Sequence, residues 1–439
     1  MKEAPLHFGG VSFSERRRTM EQILYGAGSL RCPVDGAAVL RSRVDELRSD
    51  KSGAALVEAA MAAPINSPTL RELAAGKKTC TLIISDHTRP VPSRDILPAM
   101  LRELREGSPD IDITLLVATG CHRETTAAEL TAKLGQEIAE REKIVVHDAF
   151  APDKNVQIGI LPSGAPLVID RLAAETDLLV AEGFIEPHFF AGFSGGRKSV
   201  LPGVCDKTTV LGNHCGKFIA DDHARTGVLE GNPIHIDMIA AARMANLRYI
   251  VNVIIDEEKR TVAAFAGDPD AAHLAGTAFL QNYCQVDAIP GDIVVTSNGG
   301  APLDQNIYQC VKGLTAAEAT AKPGAIIVLC AEAADGIGGD GFYRSLKECE
   351  TPAALFAQCS ATPQSETIPD QWQSQILVRI LMKHKVIFVT RPELAETVQE
   401  MKMVYSPSLE EALAMARAEK GENAAVTLIP NGISVIVKK

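Results

Sequence analysis

Short apolar, β-branched runs recur along this chain, separated by longer amphipathic stretches, and that alternation limits the fold more than any other feature. The clearest runs are TLIIS (81–85), DITLLVAT (112–119), KIVVHDA (143–149), TDLLVAE (176–182) and YIVNVII (249–255). A second series, DIVVTS (292–297), AIIVLC (325–330) and KVIFVT (385–390), closes with AVTLIP and ISVIVK. Continuously apolar strands are those buried on both faces, and their alternation with helices predicts a mainly parallel, doubly wound sheet. Residues 93–106 read as a helix that Ser93 could cap, and Thr126 with Glu129 reads as a capping box. The expected class is therefore α/β: two α/β domains, at 1–284 and 285–439, with an active-site cleft between them. AFAGDPDAAHLAG (264–276) is expected to cross from one to the other. A chain of 439 residues has ample material for two such cores.

Charge and composition remove several function classes. The net charge is −11 with no basic run, which argues against nucleic acid or an anionic membrane as partner. No apolar run approaches the ~18–20 residues of a membrane span. MKEAPLHFGGVSFSERRR lacks the basic-then-apolar pattern of a secretory signal. The ten cysteines include no CxxC pair, so they read as buried reduced thiols rather than a zinc ribbon or disulfide framework. A cytoplasmic location is expected.

Two glycine patterns invite a nucleotide reading, and both are weak. In GFSGGRKS, Arg197 separates Gly196 from Lys198, so the phosphate-cradling pattern fails by one residue. GIGGDG (336–341) spells a dinucleotide fingerprint, but five residues separate it from the preceding strand and the next strand is some fifty residues on. The reactive side chains say more. Asp86 and Arg89 follow the first strand, His122 the second and His188 the fourth. Ligands of open α/β sheets bind outside the carboxyl ends of strands, so these segments would converge on one crevice. A lone histidine is usually structural; several reactive groups at equivalent strand ends read as a site. GFIEPHFFAGFSGGRKSVLPG (183–203) adds Lys198 in a loop whose glycines would let the backbone approach a ligand. His214 falls in a helix opened by Asp206. Tyr308 and Lys312 lie four apart on another helix, as a solvated pair or as a carboxylate clamp facing a cleft. His7, His223, His235, His273 and His384 read as incidental, and His87 and His147 stay undecided.

Taken together, DHTRPVPS, ATGCHR, GFIEPHFFAGFSGGRKSVLPG, NH and IYQCVKG resemble the nickel-dependent lactate racemase family over roughly 7–430. The resemblance implies a nickel-pincer nucleotide, a pyridinium mononucleotide with two sulfur-bearing arms, made by separate cofactor-synthesis enzymes. It implies that Lys198 carries the nucleotide covalently and that His214 ligates nickel, a metal suited to sulfur and imidazole donors. His122 and His188 would be the acid/base pair. Arg89 and Lys312 would hold the substrate carboxylate, with Asp86, Tyr308 and Gln309 as further substrate contacts. The implied reaction is racemisation of a 2-hydroxy acid by reversible hydride transfer through a 2-oxo acid. Arg197, Arg94 and Arg123 look like spare cations near the cleft. They could serve the cofactor phosphate, a second substrate carboxylate, as in malate, or only solvent, the default for each. The rival readings are a nicotinamide-dependent 2-hydroxy-acid dehydrogenase using GIGGDG and a non-catalytic hydroxy-acid-binding protein.

Overall fold

The computed structural model describes residues 21–34, 36–256 and 258–438; His7 and the basic segment ending at Arg18 lie outside the described residues. The first sheet contains β1 (Thr79–Ser85), β2 (Asp112–Ala118), β3 (Lys143–Val146), β4 (Leu178–Phe184), β5 (Leu247–Ile255) and β6 (Thr261–Gly267). Its order is β6-β5-β4-β1-β2-β3, parallel throughout except for the edge strand β6. The second sheet contains β7 (Gly291–Ser297), β8 (Ala321–Cys330), β9 (Lys385–Val389), β10 (Val404–Ser406) and β11 (Val426–Ile429). Its order is β10-β9-β8-β7-β11, with Ala38–Val39 added parallel to β11. The α/β class with mainly parallel sheets is as expected. All seven residues of β4 are buried, which explains its unbroken apolar run.

Five helices matter for the site: α1 (Ser93–Gly107), α2 (Lys207–Asn213), α3 (Pro269–Cys284), α4 (Ile307–Thr320) and α5 (Gln371–Leu381). The Thr126–Glu129 capping box is present. Ser93 does not cap α1, which makes no side-chain cap bond; its hydroxyl instead donates to buried Glu182 at 2.7 Å. Residues 264–276 are not a simple crossing either, since 264–267 complete β6 and the rest begins α3. Nor does the first body keep its N-terminal segment. Ile23 and Cys32 bury themselves against Ile293, Val295 and Val328 of the second sheet, and Gly26 donates its N–H to Asp304 at 2.7 Å. The strands there are only two to four residues long, too short to carry a legible period.

One core cluster runs through both bodies, joining Val210 and Ile219 to Leu355 and Leu377. All ten cysteines are unpaired thiols, eight of them buried. Among the described residues, no helix is long and apolar enough to cross a membrane.

Candidate active site

The loop after β1 begins with Asp86, which is 2% exposed. Its Oδ1 accepts from the Thr88 backbone N–H at 3.2 Å and hydroxyl at 2.7 Å, and its Oδ2 meets His122 Nδ1 at 2.7 Å. Burial alone would raise the Asp86 pKa, but His122, Arg89 and Thr88 outweigh it and hold the carboxyl at about 2. An ionised carboxylate only accepts, so His122 Nδ1 carries the proton and Nε2 is left as a base. The same loop is pinned from beneath by Lys133 Nζ, which donates to the carbonyls of Arg89 at 3.0 Å and Val91 at 3.4 Å.

His188 sits in a two-residue antiparallel pairing, Pro187–His188 with Gly192–Phe193, just beyond β4. The Ala191 N–H points at its Nδ1 (3.3 Å), so the neutral ring carries its proton on Nε2, which lies 3.5 Å from Lys198 Nζ. The two histidines thus hold opposite tautomers. Burial, reinforced by Lys198, Lys312 and Arg89, keeps the His188 pKa well below its usual value. Burial, with Arg197, Arg89 and Lys312, likewise lowers the Lys198 ammonium, favouring a neutral, nucleophilic amine.

The glycines of this loop face protein, not an open cradle. Gly195 has φ +79°, and a Cβ there would fall 2.6 Å from Asn252 Oδ1 and 2.9 Å from the Phe184 carbonyl. At Gly196 (φ +53°) a Cβ would strike the His273 ring at 2.9 Å. Arg197 is not a cleft cation: it is 1% exposed and turned into the loop. It donates to the carbonyls of Ala191 (2.7 Å) and Phe193 (2.8 Å), with His235 Nδ1 and His273 Nε2 both at 3.0 Å. Arg94 and Arg123 are also engaged elsewhere, with the Ala132 carbonyl and with Glu129. All three guanidiniums are hydrogen-bonded to protein groups, Arg197 fully buried and Arg94 and Arg123 at the surface.

His214 caps the C-terminus of α2, whose N-terminus Asp206 closes by accepting from Thr209 N–H at 2.9 Å. Its ring meets Phe190 at 5.0 Å and Trp372 of α5 at 5.1 Å, both edge-on. Burial pushes its pKa down to about 3, and Nδ1 is buried without a hydrogen-bond partner. A neutral imidazole with an unsatisfied buried nitrogen is what a metal ligand requires. Phe190 also lies under Lys198 Nζ, 5.8 Å from the ring centroid, so the two residues share one neighbour.

The carboxyl ends of both sheets face a small cavity whose lining includes Glu186, His188, Asn298, Leu303, Lys312 and Ile433. Lys312 comes from α4, which Asn306 caps by accepting from Gln309 N–H at 3.0 Å. Burial and the nearby Arg89 charge bring Lys312 down to about 8. His122 lines a separate polar hollow with Glu124, Asp148 and Lys154. Tyr308 and Gln309 are not in the cavity lining; Tyr308 packs on Phe342 and beside Asp370 and Trp372. Glu186, Asn298 and Trp372 are the neighbours that sequence reasoning missed. Glu186 stands two residues before His188 and could have been noticed; Trp372 gives no local signal.

Comparisons with known proteins decide what this arrangement belongs to. Residues 25–227 match the lactate racemase N-terminal domain and residues 286–437 the lactate racemase C-terminal domain. The chain belongs to the lactate racemase family. Membership makes it an isomerase, a racemase. It is 50% identical over 401 residues to the lactate racemase of Thermoanaerobacterium thermosaccharolyticum, covering 91% of this chain and 94% of that one. Identity to the lactate racemase of Lactiplantibacillus plantarum is 51% over 382 residues, 87% and 90% of the two chains. The lactate racemase apoprotein structure from T. thermosaccharolyticum superposes with a TM-score of 0.93 at 48% identity, covering 96% of this chain and all of that one. A Thermotoga maritima protein, at 17% identity and TM-score 0.62 over 85% of this chain and all of its own, shares the fold alone.

Proposed function

We propose that this chain interconverts the two enantiomers of lactate, using a nickel-pincer nucleotide held by Lys198 and His214. The observation that carries the cofactor reading is the buried, unpartnered Nδ1 of a neutral His214, beside the aromatic ring that also underlies Lys198. Among the described residues, no group of three or more His, Cys, Asp or Glu could hold a metal unaided, so further donors would come from the nucleotide. When bound, that group supplies reversible acceptance of the C2 hydride, difficult chemistry that side chains cannot perform. Lys198, neutral in its buried setting, is the covalent anchor.

The chain's own residues orient the substrate and move its protons. Arg89 and Lys312 bind the carboxylate, Arg89 with its planar fork and Lys312 as a point charge. His122, oriented by Asp86, takes the hydroxyl proton at Nε2, while His188 returns a proton to the oxygen from its imidazolium form, which it reaches by taking up a proton beforehand, and ends the step as the neutral ring. The opposite enantiomer uses the pair in reverse. Tyr308 packs the start of α4, the helix that carries Lys312, against Phe342. GIGGDG does not favour the dehydrogenase reading, because the N–H of its first glycine, the kind of donor a pyrophosphate needs, is already given to the Ala333 carbonyl at 2.9 Å.

The test is mass spectrometry and chiral chromatography on protein produced together with cofactor-making enzymes. A nickel-bearing adduct on Lys198, lost in Lys198→Ala, and conversion of either lactate enantiomer to the racemate without net redox change are expected. An undiminished adduct in Lys198→Ala rules out the anchor, and lactate consumption that tracks added NAD rules out the reaction.

A further inference from the structure

Lys312 and Glu186 are the charged residues among those lining the interbody cavity, apart from His188, which burial keeps neutral. The Arg89 charge reaches the same place, since it acts on both His188 and Lys312. Lys198, buried and neutral or covalently used, adds no lasting charge. Within its lining the cavity therefore sets one cation, Lys312, against one carboxylate, Glu186, with the Arg89 charge acting from outside that lining. Its remaining lining is neutral, with Pro187, Phe189, Leu303 and Ile433 presenting apolar surface. Glu186 stands in β4's outgoing loop, held there by two backbone bonds to Ser194: its N–H donates to Ser194 Oγ and its carbonyl accepts from Ser194 N–H, each at 2.9 Å.

Resting on the lactate reading above, we propose that Glu186 is a specificity-determining residue, whose carboxylate restricts the cavity to monocarboxylic 2-hydroxy acids by repelling a second substrate carboxylate. Three arginines that could have neutralised that second group are turned away, to the Arg197 loop interior, to the Ala132 carbonyl and to Glu129. A second buried anion would meet Glu186 with no cation of its own, and an uncompensated buried charge is strongly disfavoured. Glu186 and Lys312 line the same cavity, so a ligand seated there meets both. Repulsion against the wrong ligand is a common route to specificity.

The test compares lactate with malate on wild type and Glu186→Gln, by calorimetric binding to the full-length apoprotein and by racemisation with the loaded enzyme. Wild type is expected to favour lactate, and Glu186→Gln to shift the malate-to-lactate ratio toward malate by roughly tenfold or more, the size of one close like-charge contact in a partly solvated site. Glu186→Asp keeps the charge and should keep the exclusion. Equal changes for both substrates in Glu186→Gln, or wild type that prefers malate, would overturn the proposal. Should Glu186→Gln not fold, Glu186→Ala is read by the same ratio against Glu186→Asp. A loaded wild type that racemises neither acid would defeat the lactate reading itself, while the apoprotein binding ratio would still judge Glu186.

Discussion

His122 and His188 differ in ways that their one-letter codes conceal. His122 is exposed over 44% of its side chain and held by a buried carboxylate; His188 lies beside a cationic cluster and keeps its proton on the opposite nitrogen. If they act as an acid/base pair, replacing either by alanine should slow racemisation in both directions by ~10²–10⁴-fold. Rates within a few-fold of wild type would remove that histidine from the reaction. His214→Ala should lose nickel on dialysis while the organic adduct stays on Lys198, a split that metal analysis and intact-mass measurement read separately. Lys312 gives a pH signature. Its pKa of about 8 means that the free protein loses this positive charge as pH rises through 8, so carboxylate affinity should weaken above that point. Above pH 8, binding must be accompanied by proton uptake, which calorimetry in buffers of different ionisation enthalpy will detect. No proton uptake at pH 9 would count against Lys312 as a carboxylate partner.

At the scale of elements, the loop from β4 to Val200 is organised from inside by Arg197. Its guanidinium gathers backbone carbonyls that a helix or sheet would otherwise satisfy, and Asn252 Oδ1 accepts the Gly196 N–H at 2.7 Å. Arg197→Met should therefore leave buried carbonyls unpaired and cost about 2–4 kcal/mol, seen as a lowered Tm. Arg197→Lys should rescue little, because an ammonium cannot reproduce the planar fork. A melting temperature unchanged in Arg197→Met would show that water serves those carbonyls equally well. Local signals read these elements unevenly. The strand ends that carry Asp86, His122 and His188 were legible because apolar runs and their polar exits lie side by side in the chain. The Ser93 cap was misread because a serine hydroxyl at a helix start has two possible partners, and buried Glu182 took it.

Across the whole molecule, α5 of the second body reaches onto the first body around His214. Gln375 donates to the Gly216 carbonyl at 2.8 Å, Gln364 donates to that of Gly212 at 3.0 Å, and Trp372 closes one side of the imidazole. With one apolar cluster running through both sheets, the bodies should unfold together. Calorimetry should record a single endotherm; two well-separated transitions would contradict this. Trp372→Ala should weaken nickel retention without touching the Lys198 adduct, since it removes packing from the metal ligand rather than from the anchor.

The sequence by itself determined the α/β class, the long parallel strands, the Thr126 and Asp206 caps and the cluster of motifs that marks the family. Each depends on residues close together in the chain, where period, capping and strand exits are written directly. Only the tertiary structure decided that Arg197 faces inward, that Gly195 and Gly196 make room for Asn252 and His273, and that Glu186 and Lys312 line one cavity. Those outcomes depend on which distant carbonyl, ring or charge a side chain meets once water is excluded, and local sequence does not record that distance.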